Sequence, residues 1–307
     1  MLGGPGGSIV RFGLTTPVVT LAPRTHSRWE VEGGPAELRQ IAQAADRLGY
    51  HHLTCSEHTG IPASAIAVRG ARYYDPAATL GWMAALTRTI RLVTHVLVLP
   101  YHHPLTLAKR YGTLDRLSGG RVILGVGVGS LREEFELLGV DFDARGPRFE
   151  DALRALRSAL GSERPSYRGT HHTFTDFVID PCAVQQPPPI WIGGRSARSL
   201  RRAVLYGDGW DPFGLDLRQL DAMIARARET EAWAARRRPF DLVLSLERLF
   251  DIAHPAQRDQ LRALIEEYRR IGATIMSLRF RHDSLAHYLE QLEIFAAEVA
   301  PAFGDDL

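Results

Sequence analysis

The sequence contains few cysteines and no long apolar run. Its 307 residues include two cysteines, Cys55 and Cys182, which are too few for a framework of disulfide bonds and indicate a reducing compartment. No apolar run approaches the roughly 20 residues that a membrane-spanning helix needs. The first residues also lack the basic segment and the apolar segment of a secretory signal. We therefore expect a cytoplasmic protein with no membrane partner.

An excess of charge of one sign is also absent. Lysine and arginine together number 37, and aspartate and glutamate number 35, so the net charge is +2 with histidine neutral. Because no strong field attracts a polyanion, we expect no nucleic-acid partner. Hydrophobic residues at 45% and charged residues at 23% give the balance of a globular protein with a sizeable core.

Eight short apolar segments alternate with amphipathic helical patterns from one end of the chain to the other. Segments 91–99 and 121–126 are apolar on both alternating faces, which is typical of strands in a parallel sheet covered on both sides. Eight strand–helix units predict an α/β fold, a (β/α)₈ TIM barrel. The alternative, an open doubly wound sheet, seldom needs eight units in one domain. The predicted strands are residues 10–14, 51–55, 91–99, 121–126, 189–192, 209–213, 242–249 and 274–280.

No linker of biased composition divides the chain, so we expect one domain over residues 9–303 after a flexible, glycine-rich terminus of residues 1–8. Two connections, residues 62–76 and residues 162–188, are longer than a barrel needs. The second is an insertion that we expect to hold a small hairpin or two extended segments. Because such loops generally shape or cover a ligand site, we expect both of them, and the loop near Arg248, to build the substrate pocket.

An acid and a histidine, Glu57 and His58, follow the second predicted strand directly, in the segment LTCSEHTGIP. The active site of a β/α barrel forms at the carboxyl ends of its strands, so this pair should face a bound ligand. A carboxylate next to an imidazole can hold one tautomer or raise the basicity of the ring. The alternative is that His58 makes only a structural hydrogen bond in the loop.

A glycine-rich segment, ILGVGVGSLREEF, ends the fourth predicted strand with Gly125, Gly127 and Gly129, and Ser130 is placed to cap the next helix. A dinucleotide-binding fingerprint needs a glycine where this chain has Ser130, so that interpretation is weak. Glycine lets a flat ring approach the backbone closely, which makes Gly125 and Gly127 candidate contacts for such a ring. Tight packing inside the barrel is an equally good interpretation.

A second glycine pair, Gly193 and Gly194, follows the fifth predicted strand, and a helix is predicted to begin near Ser196. Free backbone amides at a helix N-terminus, with Arg195 beside them, form a favourable site for an anion such as phosphate. A plain turn is the alternative.

Histidine doublets at residues 51–52, 102–103 and 171–172 invite a metal-site interpretation. None has the spacing of a helical metal motif or a neighbouring pair of cysteine ligands. We therefore expect no metal site.

Four segments, taken in order, resemble the bacterial luciferase-like monooxygenase superfamily, and more closely its branch of oxidoreductases that use the deazaflavin coenzyme F-420. They are ADRLGYHHLTCSEH, then DPAATLGWMAALTRTIRLVTHVLVLPYHHPLTLAKRYGTLDRLSGGRVILGVGVG, then REEFELLGVDFDARGPRFEDALRALR, and then PPPIWIGGRSARSLRRAVLYGDGWDP. The likeness runs from Phe12 to about Ala300 and is densest over residues 75–129 and 188–212. It implies a (β/α)₈ barrel that carries an isoalloxazine-type ring at its mouth, commonly in a homodimer.

The resemblance also implies roles for particular residues. Glu57 and His58 would lie beside the reactive ring, and strand three would form a bulge under it, often with a non-proline cis peptide bond. His95, in that bulge, replaces a residue that is typically smaller. The loop after the fifth strand would bind the cofactor phosphate. With the two glycines of the fourth strand, the predicted cofactor-binding residues are Glu57, His58, Val93, Thr94, His95, Gly125, Gly127, Gly193, Gly194, Arg195 and Ser196.

The implied activity is hydride transfer between the deazaflavin and an unidentified small organic substrate. His58 would give or take a proton, and Glu57 would orient it or bond to the ring. Many such enzymes have aspartate at the position of Glu57, and glutamate also occurs in flavin-using relatives. The alternative is therefore an FMN-dependent monooxygenase that uses oxygen and receives reduced flavin from a partner flavin reductase. A second alternative is a barrel that binds a cofactor without catalysing a reaction.

Overall fold

The computed structural model describes residues 9–23 and 25–304 of the chain. The flexible terminus predicted for residues 1–8 lies outside these described residues. The strands are β1 Arg11–Leu14, β2 His52–Cys55, β3 Arg91–Val98, β4 Val122–Gly127, β5 Tyr167–Arg168, β6 Thr173–Phe174, β7 Ile190–Gly193, β8 Gly209–Asp211, β9 Asp241–Ser245 and β10 Ile275–Leu278. Strands β5 and β6 form a separate two-stranded sheet. The other eight are parallel and close into a barrel in the order β1-β10-β9-β8-β7-β4-β3-β2, and β1 pairs with β2 to complete it. The predicted (β/α)₈ barrel and its eight strands are confirmed.

Helices cover the outside of the barrel and bury one apolar face each. In α2, which begins at Pro35, the residues facing the strands include Leu38 and Ile41, as the 3.6-residue pattern predicts. Among the described residues, no helix is both long and apolar enough to span a membrane. The helices are α1 Arg28–Glu32, α2 Pro35–Arg47, α3 Ile66–Arg69, α4 Pro76–Leu86, α5 Pro104–Leu117, α6 Arg132–Leu137, α7 Arg145–Ala159, α8 Ala197–Tyr206, α9 Leu217–Arg228, α10 Glu231–Ala234, α11 Pro255–Ile271 and α12 Leu285–Ile294.

The predicted insertion holds a short antiparallel hairpin, in which β5 pairs with β6 through Tyr167 and Phe174. The hairpin is tied to the barrel by Asp151 of α7. This buried carboxylate accepts hydrogen bonds from the Tyr167 hydroxyl and from the amides of three consecutive residues, 170 to 172. The insertion is therefore held against α7.

The barrel interior is filled by side chains that alternate with those facing the helices. On β4, Val122, Leu124 and Val126 belong to the core under the helices, so Ile123 and the glycines between them face inward. A separate small cluster closes the interior beneath the strand ends. It consists of Val93, Ile123, Trp191, Val243 and Ile275.

Replacing Gly125 by alanine is expected to destabilise the barrel, because the new Cβ would lie 2.0 Å from the backbone oxygen of Thr94. Overpacking costs about 1–3 kcal/mol, and more where a backbone atom must move. Gly81→Ala in α4 is the matched control, since its Cβ would approach nothing closer than 3.9 Å. Alanine there should raise stability by about 0.5–1 kcal/mol. Urea unfolding measures both changes, and a Gly125→Ala variant as stable as the wild type would contradict this packing.

Candidate functional site

A cavity of about 550 Å³ opens at the carboxyl ends of the strands. Its walls come from the ends of β1 to β4, β7 and β8 and from the residue that follows β10. Eight of the eleven predicted cofactor-binding residues line this cavity. They are Glu57, His58, His95, Gly127, Gly193, Gly194, Arg195 and Ser196.

Three predicted contacts, Val93, Thr94 and Gly125, do not line this cavity. Val93 is fully buried in the cluster that closes the barrel interior. Thr94 follows it on the opposite face of the strand, where its hydroxyl donates to the Gly125 carbonyl at 2.8 Å. Gly125 faces inward, but the backbone of Thr94 covers it, so its missing side chain serves strand packing and not ring contact.

The bulge implied for the third strand is present just beyond those residues. The register of β3 against β4 shifts between Thr94 and Leu97, and the peptide bond from His95 to Val96 is cis. The bulge turns Val96 into the cavity, where its methyl groups would lie 2.8 Å from a Cβ on either Gly127 or Gly193. Sequence reasoning missed Val96, because a valine in an apolar strand carries no distinguishing signal.

His58 is held by a buried carboxylate that lies 76 positions further along the chain. Its Nδ1 is 2.8 Å from Oε2 of Glu134, a residue of α6 with a fully buried side chain. The Tyr101 hydroxyl donates to the same oxygen at 3.0 Å, and the Thr59 amide donates to Oε1. Glu134 was not predicted, because nothing in the sequence distinguishes it from the neighbouring Glu133.

The charge state of Glu134 determines the tautomer of His58. Burial alone would raise the pKa of the Glu134 carboxyl, but the hydrogen bonds and charge of His58, the Thr59 amide and the Tyr101 hydroxyl together hold that pKa below its usual value. An ionised carboxylate only accepts, so the proton of a neutral His58 lies on Nδ1. No described residue hydrogen-bonds Nε2, which leaves that nitrogen for a ligand. Burial first, and then the adjacent Glu134 charge, raise the pKa of Tyr101, which keeps its proton.

Glu57 lines the cavity but does not orient His58. Its Oε2 accepts from the Val98 amide at 2.7 Å, and its Oε1 lies 2.8 Å from Nε2 of His102. The predicted pairing of Glu57 with its neighbour is therefore wrong, because successive side chains at the end of a strand point in different directions. Glu57 instead ties the end of β2 to the turn that follows β3.

The glycine loop after β7 has the geometry of an anion site. Ser196 caps α8, since its hydroxyl accepts from the Ser199 amide, and its own amide donates to the Ser199 hydroxyl, both at 3.2 Å. The amides of Gly194 and Arg195 donate to no described residue. They lie at the N-terminus of a ten-residue helix, where the backbone dipoles favour a negative charge. This loop therefore offers two free amides and the Arg195 side chain.

The connections predicted to build the substrate pocket contribute unequally. Arg69 and Tyr73, from residues 62–76, line the cavity, and the Tyr73 ring packs edge-on against His58 at 4.4 Å. No residue of the insertion at 162–188 lines it, so that prediction is wrong: the insertion packs against α7 instead. Arg248 lies in a separate surface hollow, which makes its prediction wrong as well.

Comparison with known proteins gives a family match over nearly the whole chain. A family model described as luciferase-like monooxygenase matches residues 11–300. An uncharacterized protein of Mycobacterium tuberculosis is 30% identical over 220 residues, which cover 67% of this chain and 76% of that protein.

Solved structures of the same fold differ in their cofactors. The coenzyme F-420-dependent tetrahydromethanopterin reductase of Methanopyrus kandleri gives a TM-score of 0.71 at 16% identity, and the match covers 96% of this chain and all of that chain. The oxygenating constituent of 3,6-diketocamphane monooxygenase from Pseudomonas putida, in complex with FMN, also gives 0.71 at 16% identity, with 95% and 98% covered. At these identities the likeness shows the fold.

Replacing Glu134 by glutamine is expected to lower the free energy of unfolding by about 1–3 kcal/mol at neutral pH, because an amide leaves one of the buried donors unpaired. The effect should fade in acid. The pKa of Glu134 is lower in the folded protein than in the unfolded chain. The stability that its ionised form contributes is therefore present above the unfolded pKa and is lost as the pH falls through the folded pKa.

Urea unfolding at neutral pH and near pH 4 measures this difference. Glu133→Gln, at an exposed position on the same helix, is the matched control and should change little at either pH. A loss of stability in Glu134→Gln that is the same at both pH values would contradict an ionised role for this carboxyl.

Proposed function

This chain belongs to the luciferase-like monooxygenase family, and on that premise we propose that it is a coenzyme F-420-dependent oxidoreductase acting on a small organic substrate. The observation that carries the proposal is the make-up of the cavity. It has an imidazole oriented by a buried carboxylate on one side and the free amides of a helix N-terminus on the other. The deazaflavin, when bound, supplies the hydride chemistry.

The residues of the cavity fit a flat ring with an anionic tail. Val96, Val98 and Ile192 give the wall an apolar surface, and the glycines opposite Val96 leave room for a ring beside the backbone. Gly194 and Arg195 are placed to hold the phosphate through their amides and the arginine side chain. Different strands would thus hold the ring and the phosphate at the same end of the barrel.

His58 is the residue that we assign to proton transfer. Its Nδ1 is occupied by Glu134, so its Nε2 faces the ligand as an acceptor when the ring is neutral and as a donor when it is charged. A positioned imidazole of this kind contributes roughly 10²–10⁴-fold to a proton-transfer step. Glu134 is a positioning residue, because it acts through His58.

The arginines of the cavity favour the more anionic cofactor. Arg202 and Arg279 also line it, but each is paired with a carboxylate, Glu150 at 2.8 Å and Glu30 at 3.3 Å respectively. Arg69 and Arg195 pair with no described carboxylate. Coenzyme F-420 carries a phosphodiester and glutamate carboxylates, whereas FMN carries a single phosphate. Two uncompensated guanidinium groups at the mouth therefore favour F-420.

A second candidate is an FMN-dependent monooxygenase that uses oxygen and reduced flavin supplied by a reductase. The observation in its favour is that a structure with the same TM-score as the F-420 enzyme holds FMN. The amide site after β7 suits the phosphate of either cofactor, so the two candidates share one cavity and differ in the ring.

Titrating the purified protein with F-420 and with FMN separates the two candidates. We expect tighter binding of F-420, and we expect Arg195→Gln to weaken it roughly tenfold through the loss of a charge-assisted hydrogen bond. Arg198→Gln is the matched control, since Arg198 is exposed on the first turn of α8 and does not line the cavity. Micromolar FMN binding without F-420 binding would reverse the order of the candidates.

Replacing His58 by alanine tests catalysis separately from binding. We expect F-420 affinity to change less than threefold while turnover falls roughly 100-fold or more, since the ring loses its proton donor and acceptor. Turnover is followed by deazaflavin absorbance with a panel of secondary alcohols and ketones. His171→Ala, at an exposed position, is the control. Two results together would support the non-catalytic alternative. The wild type would bind F-420 but turn over no member of the panel, and replacing His58 would leave the pH dependence of the bound ring's spectrum unchanged.

A further inference from the structure

A further carboxylate–imidazole pair, formed by His95 and Asp211, lines the same cavity. His95 of the β3 bulge and Asp211 at the end of β8 come from strands that β4 and β7 separate, and their side chains meet inside the barrel. Nε2 of His95 is 3.1 Å from Oδ2 of Asp211. Both residues line the cavity. Neither of the roles assigned above uses this pair.

The Asp211 carboxylate has no compensation except His95. Its side chain is 1% exposed, and neither of its oxygens receives a hydrogen bond from a described residue. A buried carboxylate in that condition is costly unless a cation lies against it. His95 is the ionisable group in contact with it, at 3.1 Å, and a proton on both of its ring nitrogens makes the pair an ion pair.

The surroundings keep this charge on His95. Burial alone lowers the pKa of His95, but the charge and contact of Asp211 outweigh it, and the pKa lies above its ordinary value. Another histidine, His52 of β2, lies close enough for its charge to interact with that of His95. Burial first, and then the charges of His51 and His95, place the pKa of His52 well below its usual range, so it stays neutral. Of these two histidines, His95 is therefore the one whose surroundings favour the charged form.

The arrangement presents the cation, and not the carboxylate, to a ligand. The His95 side chain is 24% exposed, whereas the Asp211 side chain lies behind it. A charged imidazole carries a hydrogen on both nitrogens, and no described residue accepts from Nδ1 of His95. His95 also directly precedes Val96, the bulge residue that forms the wall for the ring.

We propose that His95, paired with Asp211, donates a hydrogen bond to the electron-rich carbonyl edge of the bound ring and thereby favours its reduced form. This inference rests on the proposed function. F-420 and FMN carry the same pyrimidinedione edge, which gains electron density on reduction, so a cation against it stabilises the reduced ring more than the oxidised ring. A substrate carbonyl is the other group of this chemistry, and the measurement below distinguishes the two.

The test compares the affinities of the protein for the two redox states of the ring, without substrate. Oxidised and reduced F-420 and FMN are titrated anaerobically into the wild type, His95→Gln and Asp211→Asn. We expect the ratio of the affinities for the reduced and the oxidised ring to fall roughly tenfold in both variants. This corresponds to a fall of about 30 mV in the midpoint potential of the bound two-electron couple. Asp211→Asn keeps the imidazole and its shape, so its effect reports the charge.

His254→Gln is the matched control. It removes an imidazole that also lies near an aspartate, Asp251 at 3.5 Å, but on the surface with 68% of its side chain exposed. We expect no change in the ratio of affinities. Circular dichroism and thermal unfolding confirm that each variant is folded.

Each outcome separates this inference from the proposed function. If the wild type binds a cofactor and the ratio is unchanged in both variants, the inference is wrong while the proposed function stands, and a substrate contact is the remaining role for His95. An equal loss of affinity for both redox states would also overturn the inference, because it would show that His95 and Asp211 only shape the cavity for the ring. If the wild type binds neither cofactor, the proposed function fails and the inference fails with it.

Discussion

The cavity depends on one local constraint, the inward step of β3 at its bulge. In a regular strand Val96 would point to the opposite face from His95, but the step turns both side chains into the cavity. The Val96 side chain then requires neighbouring inward residues that have no Cβ. Gly127 and Gly193 meet this requirement on the two strands that follow in the barrel, and Gly125 admits the Thr94 backbone beneath them. The same step separates Thr94, which serves strand packing, from His95 and Val96, which face the cavity. The shape of the site is therefore set by backbone packing before any polar group is placed.

The polar groups of the site are imidazoles that are each paired with a less exposed carboxylate. Glu134 holds His58, Glu57 contacts His102, and Asp211 lies against His95. Each carboxylate is less exposed than the ring it contacts, so the ring and not the acid is presented outward. Such pairs keep a defined tautomer or charge in a region of low dielectric, where an unpaired group would be costly. His58 and His95 thus offer two differently held imidazoles to one ligand.

Much of this organisation follows from local sequence patterns. Short apolar segments and amphipathic helical patterns are local properties, so the eight strands, the barrel and the hairpin of the insertion could be predicted. The positions of Glu57, His58 and the loop from Gly193 to Ser196 could be predicted too, because the carboxyl ends of barrel strands always meet at one face. His95 was singled out only by the resemblance, which implies a smaller residue at that position.

The partners of those residues were decided only by the tertiary structure. Glu57 and His58 are adjacent in the chain, yet they bind His102 and Glu134, because neighbouring side chains leave a strand end in different directions and the nearest partner is set by which helix packs there. Val93, Thr94 and Gly125 lie within two positions of cavity residues, but tertiary packing occupies them. Val93 belongs to the cluster that closes the barrel interior, and the backbone of Thr94 covers Gly125. Asp211 becomes important through a contact across the barrel, which no local pattern encodes. The sequence determined which residues reach the mouth of the barrel, and the closure of the sheet determined what each of them touches.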